Sequence, residues 1–313
     1  MLRIIIRRIV VSVPLLFAVS LLVFALQDLL PGDAAVSRAG FDAPPEYVEQ
    51  LRQEMGLDQP LPVQYGRWLG DLASGSFGTS ALNGESVSSV LNQRLPVTLS
   101  LVVLTTLVST FAGVGLGMIS SRGSQVTRRM SDVLSVLGLA LPTFWIALTL
   151  VAIFAVSLGW FPAGGYVAPS TSLTGWMKGL VLPVAALSAH GITVVAKQTR
   201  EALLDVERSD FVRNLRANGI PGRRILFKHV LRGASIPVLT VSGLLFVSAL
   251  GGSVVIERIF RFPGLGSLVV DATVNVDAPM LLGVAMYFAV LVVLVNLGLD
   301  LSYAWVNPKV RAQ

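Results

Sequence analysis

Six stretches of at least 18 residues contain no charged side chain: 9–27, 95–121, 133–177, 179–196, 233–256 and 278–299. A helix needs about 20 mostly apolar residues to cross the hydrocarbon of a bilayer. Helices are the simplest way to satisfy every backbone polar group there. The sequence therefore predicts an all-α integral membrane protein with six transmembrane helices, at about 9–29, 97–120, 133–158, 180–200, 236–257 and 280–303. Only 13% of residues are charged, against about a quarter in soluble domains. A cleaved signal peptide is not expected, because apolar runs continue almost to the last residue.

With six spans, the connecting segments alternate sides, and Lys and Arg mark the cytoplasmic one. Arg3, Arg7 and Arg8, the second connection (Arg122, Arg128, Arg129), the fourth connection and the C-terminus (Lys309, Arg311) hold 17 of the 24 basic residues. Both termini are accordingly expected in the cytoplasm and residues 29–94 outside. Because the net charge of +6 sits in membrane-flanking segments, it points to lipid and not to nucleic acid.

The segment after the first span carries eight acidic residues and is too long for a plain loop. Asp42 before Pro44 and Pro45 resembles a helix start. Val48, Leu51 and Met55 share one face, and Gly56 sits where a C-terminal cap belongs. An amphipathic helix lying on the protein or the outer lipid surface is expected. Gly159, Pro162, Gly164, Gly165 and Pro169 break the long third run, with Trp160, Phe161 and Tyr166 at the interface. Pro142, Pro183 and Pro237 lie at or within spans, and Gly113, Gly115 and Gly117 suit close helix packing.

Little here can do chemistry. There is no cysteine, there are two histidines, and no Gly-Lys dipeptide supplies a phosphate-cradling loop. Neither H-E-x-x-H nor G-x-S-x-G occurs. His190 has no acidic neighbour to orient it. It reads as a packing residue or as an intramembrane functional group. An ion-driven transporter usually carries mid-span carboxylates or other polar cation ligands, and an intramembrane enzyme needs a nucleophile with its base. Both readings lack their residues. No catalytic, cofactor-binding or metal-binding residue is predicted.

The fourth connection, REALLDVERSDFVRNLRANGIPGRRILFKHVLRGASIP, has far more charge than a turn needs. Phe211, Leu215 and Ala217, then Ile225 and Leu226, recur as apolar positions, and Gly219, Pro221 and Gly222 separate two helical stretches. It reads either as a solvated positive loop or as a helix presented to a cytoplasmic partner.

Several motifs resemble one family. They are Arg7-Arg8 with Pro14 and Leu30-Pro31-Gly32-Asp33, then Gly56-Leu57-Asp58 through Trp68-Leu69 to Phe77-Gly78-Thr79-Ser80, and finally Glu257, Phe260, Pro263-Gly264-Leu265-Gly266 and Asp271. In this order they resemble type I ABC importer permeases, in particular the B-type subunit of the dipeptide, oligopeptide and nickel group. The resemblance divides the chain into 1–94, a first helix plus an extended extracytoplasmic segment, and 95–305, the transmembrane domain with a coupling segment at 205–232. It implies a bacterial or archaeal cytoplasmic membrane protein with a second, C-type permease subunit as heterodimer partner. Two ATP-binding subunits holding ATP and magnesium, and an extracytoplasmic solute-binding protein, would complete the importer. The substrate would be short peptides, or alternatively nickel or another small solute.

By the same resemblance, Asp210, Phe211, Val212, Arg213, Asn214, Leu215, Arg216, Ala217, Asn218 and Gly219 form the coupling helix that faces an ATPase. Arg213-Asn214-Leu215 stands where the general family motif has Glu-Ala-Ala, so that glutamate's salt bridge is not carried over. Glu257, Arg258 and Arg261 read as snorkelling or intrachain ion pairs. Alternatively they join Pro263 and Gly264 as contacts to the binding protein or an outer gate.

Overall fold

The computed structural model describes residues 2–27, 33–40 and 42–306. Among them the regular structure is helical, apart from an isolated bridge between Thr79 and Ser86. In chain order the helices are α1 (Leu2–Gln27), α2 (Ala34–Ala39), α3 (Pro45–Glu54), α4 (Leu61–Ala73), α5 (Val87–Arg122) and α6 (Gln125–Ala140). Then α7 (Thr143–Leu150) runs on into a π-helical turn, Val151–Ser157. After α8 (Leu173–Glu207) and α9 (Asp210–Ala217), α10 (Gly222–Ile225) passes through a second π turn, Leu226–Val230, into α11 (Leu231–Ile259). The last two are α12 (Leu265–Val274) and α13 (Ala278–Val306). Five helical stretches are long and apolar enough to cross a bilayer, and α6 with α7 makes a sixth if that bent pair is one span.

The third span differs from its expectation of a single helix over 133–158. Pro142 has no N–H to donate and biases its predecessor to extended backbone. Leu141 sits at ψ 126°, so the helix stops at Ala140 and restarts at Thr143. It also begins earlier, at Gln125, where Ser124 accepts a hydrogen bond from the Thr127 N–H. Helices α5 and α8 likewise begin well before their apolar runs, because backbone hydrogen bonds continue past the point where the side chains become polar.

The chain divides into two units. The first comprises Leu99–Phe262 with 295–306. Its axis is α8, packed against α6, α7 and α11. Close approach of α5 to α8 depends on two glycines four residues apart: a Cβ on Gly113 would lie 2.5 Å from the Val195 Cβ, and one on Gly117 2.6 Å from the Thr199 Cβ. Gly115, expected to share this role, faces open space, since two residues along a helix turn a side chain to the opposite side.

The second unit comprises 5–98 and Pro263–Leu294. Tyr65 and Trp68 of α4 stack at 6.0 Å, Phe24 of α1 meets Tyr65 edge-on at 5.1 Å, and Leu282 and Met286 of α13 close the cluster. The expected short amphipathic helix is present as α3, with Leu51 buried and Pro44 at its N-cap. Of the motif Leu30-Pro31-Gly32-Asp33, the first three residues lie outside those described. Asp33 caps α2, accepting from the Ala35 N–H at 2.8 Å, and pairs with Arg52. Burial works to raise the Asp33 carboxyl, but its bonds to Arg52 and to the backbone N–H outweigh this and hold it below the ordinary carboxylate value.

One buried acid anchors this unit. Asp277, 4% exposed, precedes α13 and accepts from the Met280 N–H at 3.3 Å. It also accepts from the Ala81 N–H at 3.1 Å and from the Ser80 hydroxyl. The turn before it places Val276 at φ 55°, a left-handed conformation that β-branched residues avoid. Replacing Asp277 by Ala strands three donors, and an unfolding experiment in detergent should show a loss of roughly 3 kcal/mol. Asp277→Asn, which keeps an acceptor oxygen, should lose less. Equal stability of all three proteins would contradict this anchoring role.

Candidate partner-docking site

The predicted coupling segment folds as a short helix between two long ones. At the end of α8, the Ser209 hydroxyl donates to the Val206 carbonyl at 2.6 Å, and α9 starts at the next residue. Eight residues later the chain reverses. The Gly219 N–H donates to the Arg216 carbonyl at 3.0 Å and the Ile220 N–H to the Leu215 carbonyl at 3.2 Å. This is the paired hydrogen-bond pattern of a Schellman turn. It requires the left-handed backbone that Gly219 adopts at φ 73°, with nothing within 4 Å of where a Cβ would stand.

Helix α9 is held by one apolar face and one acid. Val212, fully buried, and Leu215 pack with Leu203 of α8 and with Ile225, Leu226 and Val230 at the start of the α10–α11 helix. Glu207 pairs with Arg122 at 2.7 Å and lies 3.9 Å from Arg216, joining the ends of α5 and α9 to α8. These partly exposed pairs are worth well under 1 kcal/mol each, so the apolar face does most of the holding.

The opposite face is open. Side chains of Asp210 and Arg213 are 90% and 81% exposed and pair loosely at 3.5 Å. Asn214, Ala217 and Asn218 are exposed beside them. Phe211, 54% exposed, meets the ring of His229 edge-on at 5.6 Å, and Phe227 is 65% exposed. Phe211 and Ala217 thus depart from the expected apolar face, whose inward positions are Val212 and Leu215. Arg223, Arg224 and Lys228 are also exposed. The result is a firmly mounted helix presenting aromatic rings among positive charges, an arrangement suited to a protein partner with an apolar pocket rimmed by acids.

The second predicted group lies at the other end of α11, about 40 Å away by helix rise. There the Phe262 N–H donates to the Glu257 carbonyl at 2.8 Å and the Arg261 N–H to the Arg258 carbonyl at 3.3 Å. Arg261 takes the left-handed position at φ 53°. Phe260 and Phe262 are buried, and the Gly165 N–H donates to the Phe260 carbonyl at 2.8 Å. Arg258, Arg261 and Pro263 are exposed, as a contact surface requires. Glu257, at 0% exposure, and Gly264, the buried N-cap of α12, are not. For these two the expectation of partner contact is corrected: the helix continues through Glu257 and buries it, and Gly264 sits within the turn.

His190, 10 residues before Arg200, is exposed on α8 and lines a small cleft with Thr105, Ser109 and Ser248. Among the described residues no group of three or more His, Cys, Asp or Glu could hold a metal ion. Sequence reasoning missed Asp277, although an Asp before Ala278-Pro279 is a helix-start signal.

Comparison with known proteins assigns the chain. Residues 113–312 match the profile of the binding-protein-dependent transport system inner membrane component, and residues 1–102 match the N-terminal profile of the same membrane components. A putative peptide transport system permease protein of Brucella abortus is 40% identical over 99% of both chains. The oligopeptide transport system permease protein AppB of Bacillus subtilis is 37% identical over 98% of both. The glutathione transport system permease protein GsiC of Escherichia coli is 35% identical over 99% of both. In fold, the chain is similar to a chain of the inward-facing MetNI methionine ABC transporter, with a TM-score of 0.57 at 16% identity, covering 70% of this chain and 97% of that one. The chain belongs to the family of binding-protein-dependent transport system inner membrane components.

Proposed function

We propose that this permease forms half of the membrane pathway of an ATP-driven importer of short peptides, and that α9 is the element on which a cytoplasmic ATP-hydrolysing subunit acts. One observation carries the reading: α9 is fixed by Val212 and Leu215 while Phe211, Asp210 and Arg213 face outward. A second permease subunit supplies the other half of the pathway, and a solute-binding protein delivers the peptide. The names of the relatives support peptides over nickel, since glutathione is itself a tripeptide. Family membership gives no support to ion-driven transport. The basic residues around α9 support the reading that this connection and both termini lie in the cytoplasm.

The mechanism follows from the mounting. Closure of the ATPases displaces α9, which cannot move alone without pulling Val212 out of its apolar seat. The displacement therefore passes to α8 and to the α10–α11 helix together. A π turn at 226–230 adjoins the contact, and π turns inside α-helices frequently occur at functional sites.

Three outcomes test this reading. Phe211→Ala should leave thermal stability unchanged yet reduce ATP-dependent uptake at least tenfold, whereas Val212→Ala should cost about 2 kcal/mol of stability. Gly219→Val should cost 1–2 kcal/mol, roughly the left-handed penalty, and uncouple hydrolysis from uptake. Normal uptake in both Phe211→Ala and Gly219→Val would sink the coupling role. In sealed vesicles, protease should cut near Arg223 only from the cytoplasmic face, and cleavage from outside alone would reverse the threading. The tagged chain, purified gently, should bring a second six-span permease and ATP-binding subunits. A lone chain active in ion-driven uptake without ATP would contradict the assignment.

A further inference from the structure

We propose that the pocket bounded by α2, α3, α4 and the start of α13 binds the two charged ends of a short peptide, an inference that rests on the peptide reading above. The pocket has a volume of about 360 Å³ and lies within the second unit. Small-molecule sites span about 300–1,000 Å³, so a dipeptide or tripeptide is of suitable size.

Its lining carries both signs of charge. Arg38 and Arg67 are positive, Glu54 and Asp71 negative, and all four are exposed to the pocket or its mouth. None of the four forms an ion pair among the described residues. All four therefore remain available to a ligand. A free peptide at neutral pH is a zwitterion, with an ammonium group for the carboxylates and a carboxylate for the guanidinium groups. A simple anion would leave Glu54 and Asp71 without purpose, and a lipid tail would match none of the four.

Trp68, 8% exposed, forms part of the pocket wall. Arg67 is positioned by the fold. Gln59 Oε1 accepts from its Nη2 at 2.9 Å, and its guanidinium lies over Gly56, in space that a Cβ would take. Gly56 is at φ 68°, so the one glycine both ends α3 and makes room for the cation.

The site would hold a peptide on the extramembrane segment, between release from the binding protein and entry to the pathway. The test uses the intact transporter in lipid nanodiscs, without its solute-binding protein, and measures binding of labelled trialanine. Trialanine with both ends free should bind, and N-acetyl-trialanine amide should bind at least tenfold more weakly. Arg38→Gln and Asp71→Asn, both exposed and outside any ion pair, should each weaken binding about tenfold. Unchanged thermal unfolding of each variant is the control for folding. Absence of binding, or equal binding of free and capped peptide, overturns the pocket's role if the complete transporter still takes up trialanine. Failure of the complete transporter to take up any short peptide would remove the peptide reading and this inference with it.

Discussion

In hydrocarbon the backbone must satisfy its own hydrogen bonds, and this constraint leaves a helical chain freedom only at helix ends and breaks. The informative features of this protein lie there. Five Schellman turns close α3, α4, α9, α11 and α12, with Gly56, Gly75, Gly219, Arg261 and Val276 in the left-handed position. Three use glycine, which takes that conformation without penalty. The other two use residues for which it costs about 1–2 kcal/mol, and each is followed by a deeply buried group. Phe262 follows Arg261, and Asp277 follows Val276. Burial of the ring and the three bonds to the carboxyl offset the cost, so those turns are held by what comes after them.

The spans were legible because lipid imposes a crude test that a run of apolar residues passes or fails. Breaks within spans were less so. Pro14, Pro96, Pro183 and Pro237 all lie inside helices, and only Pro142 stops one. Nothing in the immediate neighbours of Pro142 separates it from the rest, since neighbouring helices can satisfy the carbonyl that an internal proline frees. The small helices were partly legible. Gly56 marked the end of α3, but α4 mixes apolar and polar residues, and α12, though apolar, has only 10 residues and is too short to stand out as a span.

The site shows the same division between what is local and what depends on packing. Asp210 to Gly219 was recognisable as a helix and its stop, because Gly219 and Pro221 are local signals. Which face turns inward was not. Phe211 with Leu215, and Val212 with Leu215, are equally compatible with one side of a helix, at spacings of four and three. The choice is made by Ile225, Leu226 and Val230, which receive Val212. Glu257 is the opposite case: a charged residue at the end of an apolar run reads as exposed, yet α11 continues for two more residues and buries it.

A coupling element must be stiff where it is attached and compliant where it bends. Helix α9 has only Arg208 and Ser209 separating it from α8, too little chain to absorb a displacement. On its other side, Gly219 and Pro221 reverse the chain directly into α10, and Val212 and Leu215 tie the helix back across that turn to Ile225 and Leu226. Any rotation of α9 therefore strains packing on both α8 and the α10–α11 helix, and the least costly response is for the three to move as a body. The π turn at 226–230 includes two of the tied residues, Leu226 and Val230, so a displacement of α9 reaches it directly. On this reading the short helix needs no chemistry of its own. Its function lies in having an inward face that cannot slip and an outward face that another protein can grip.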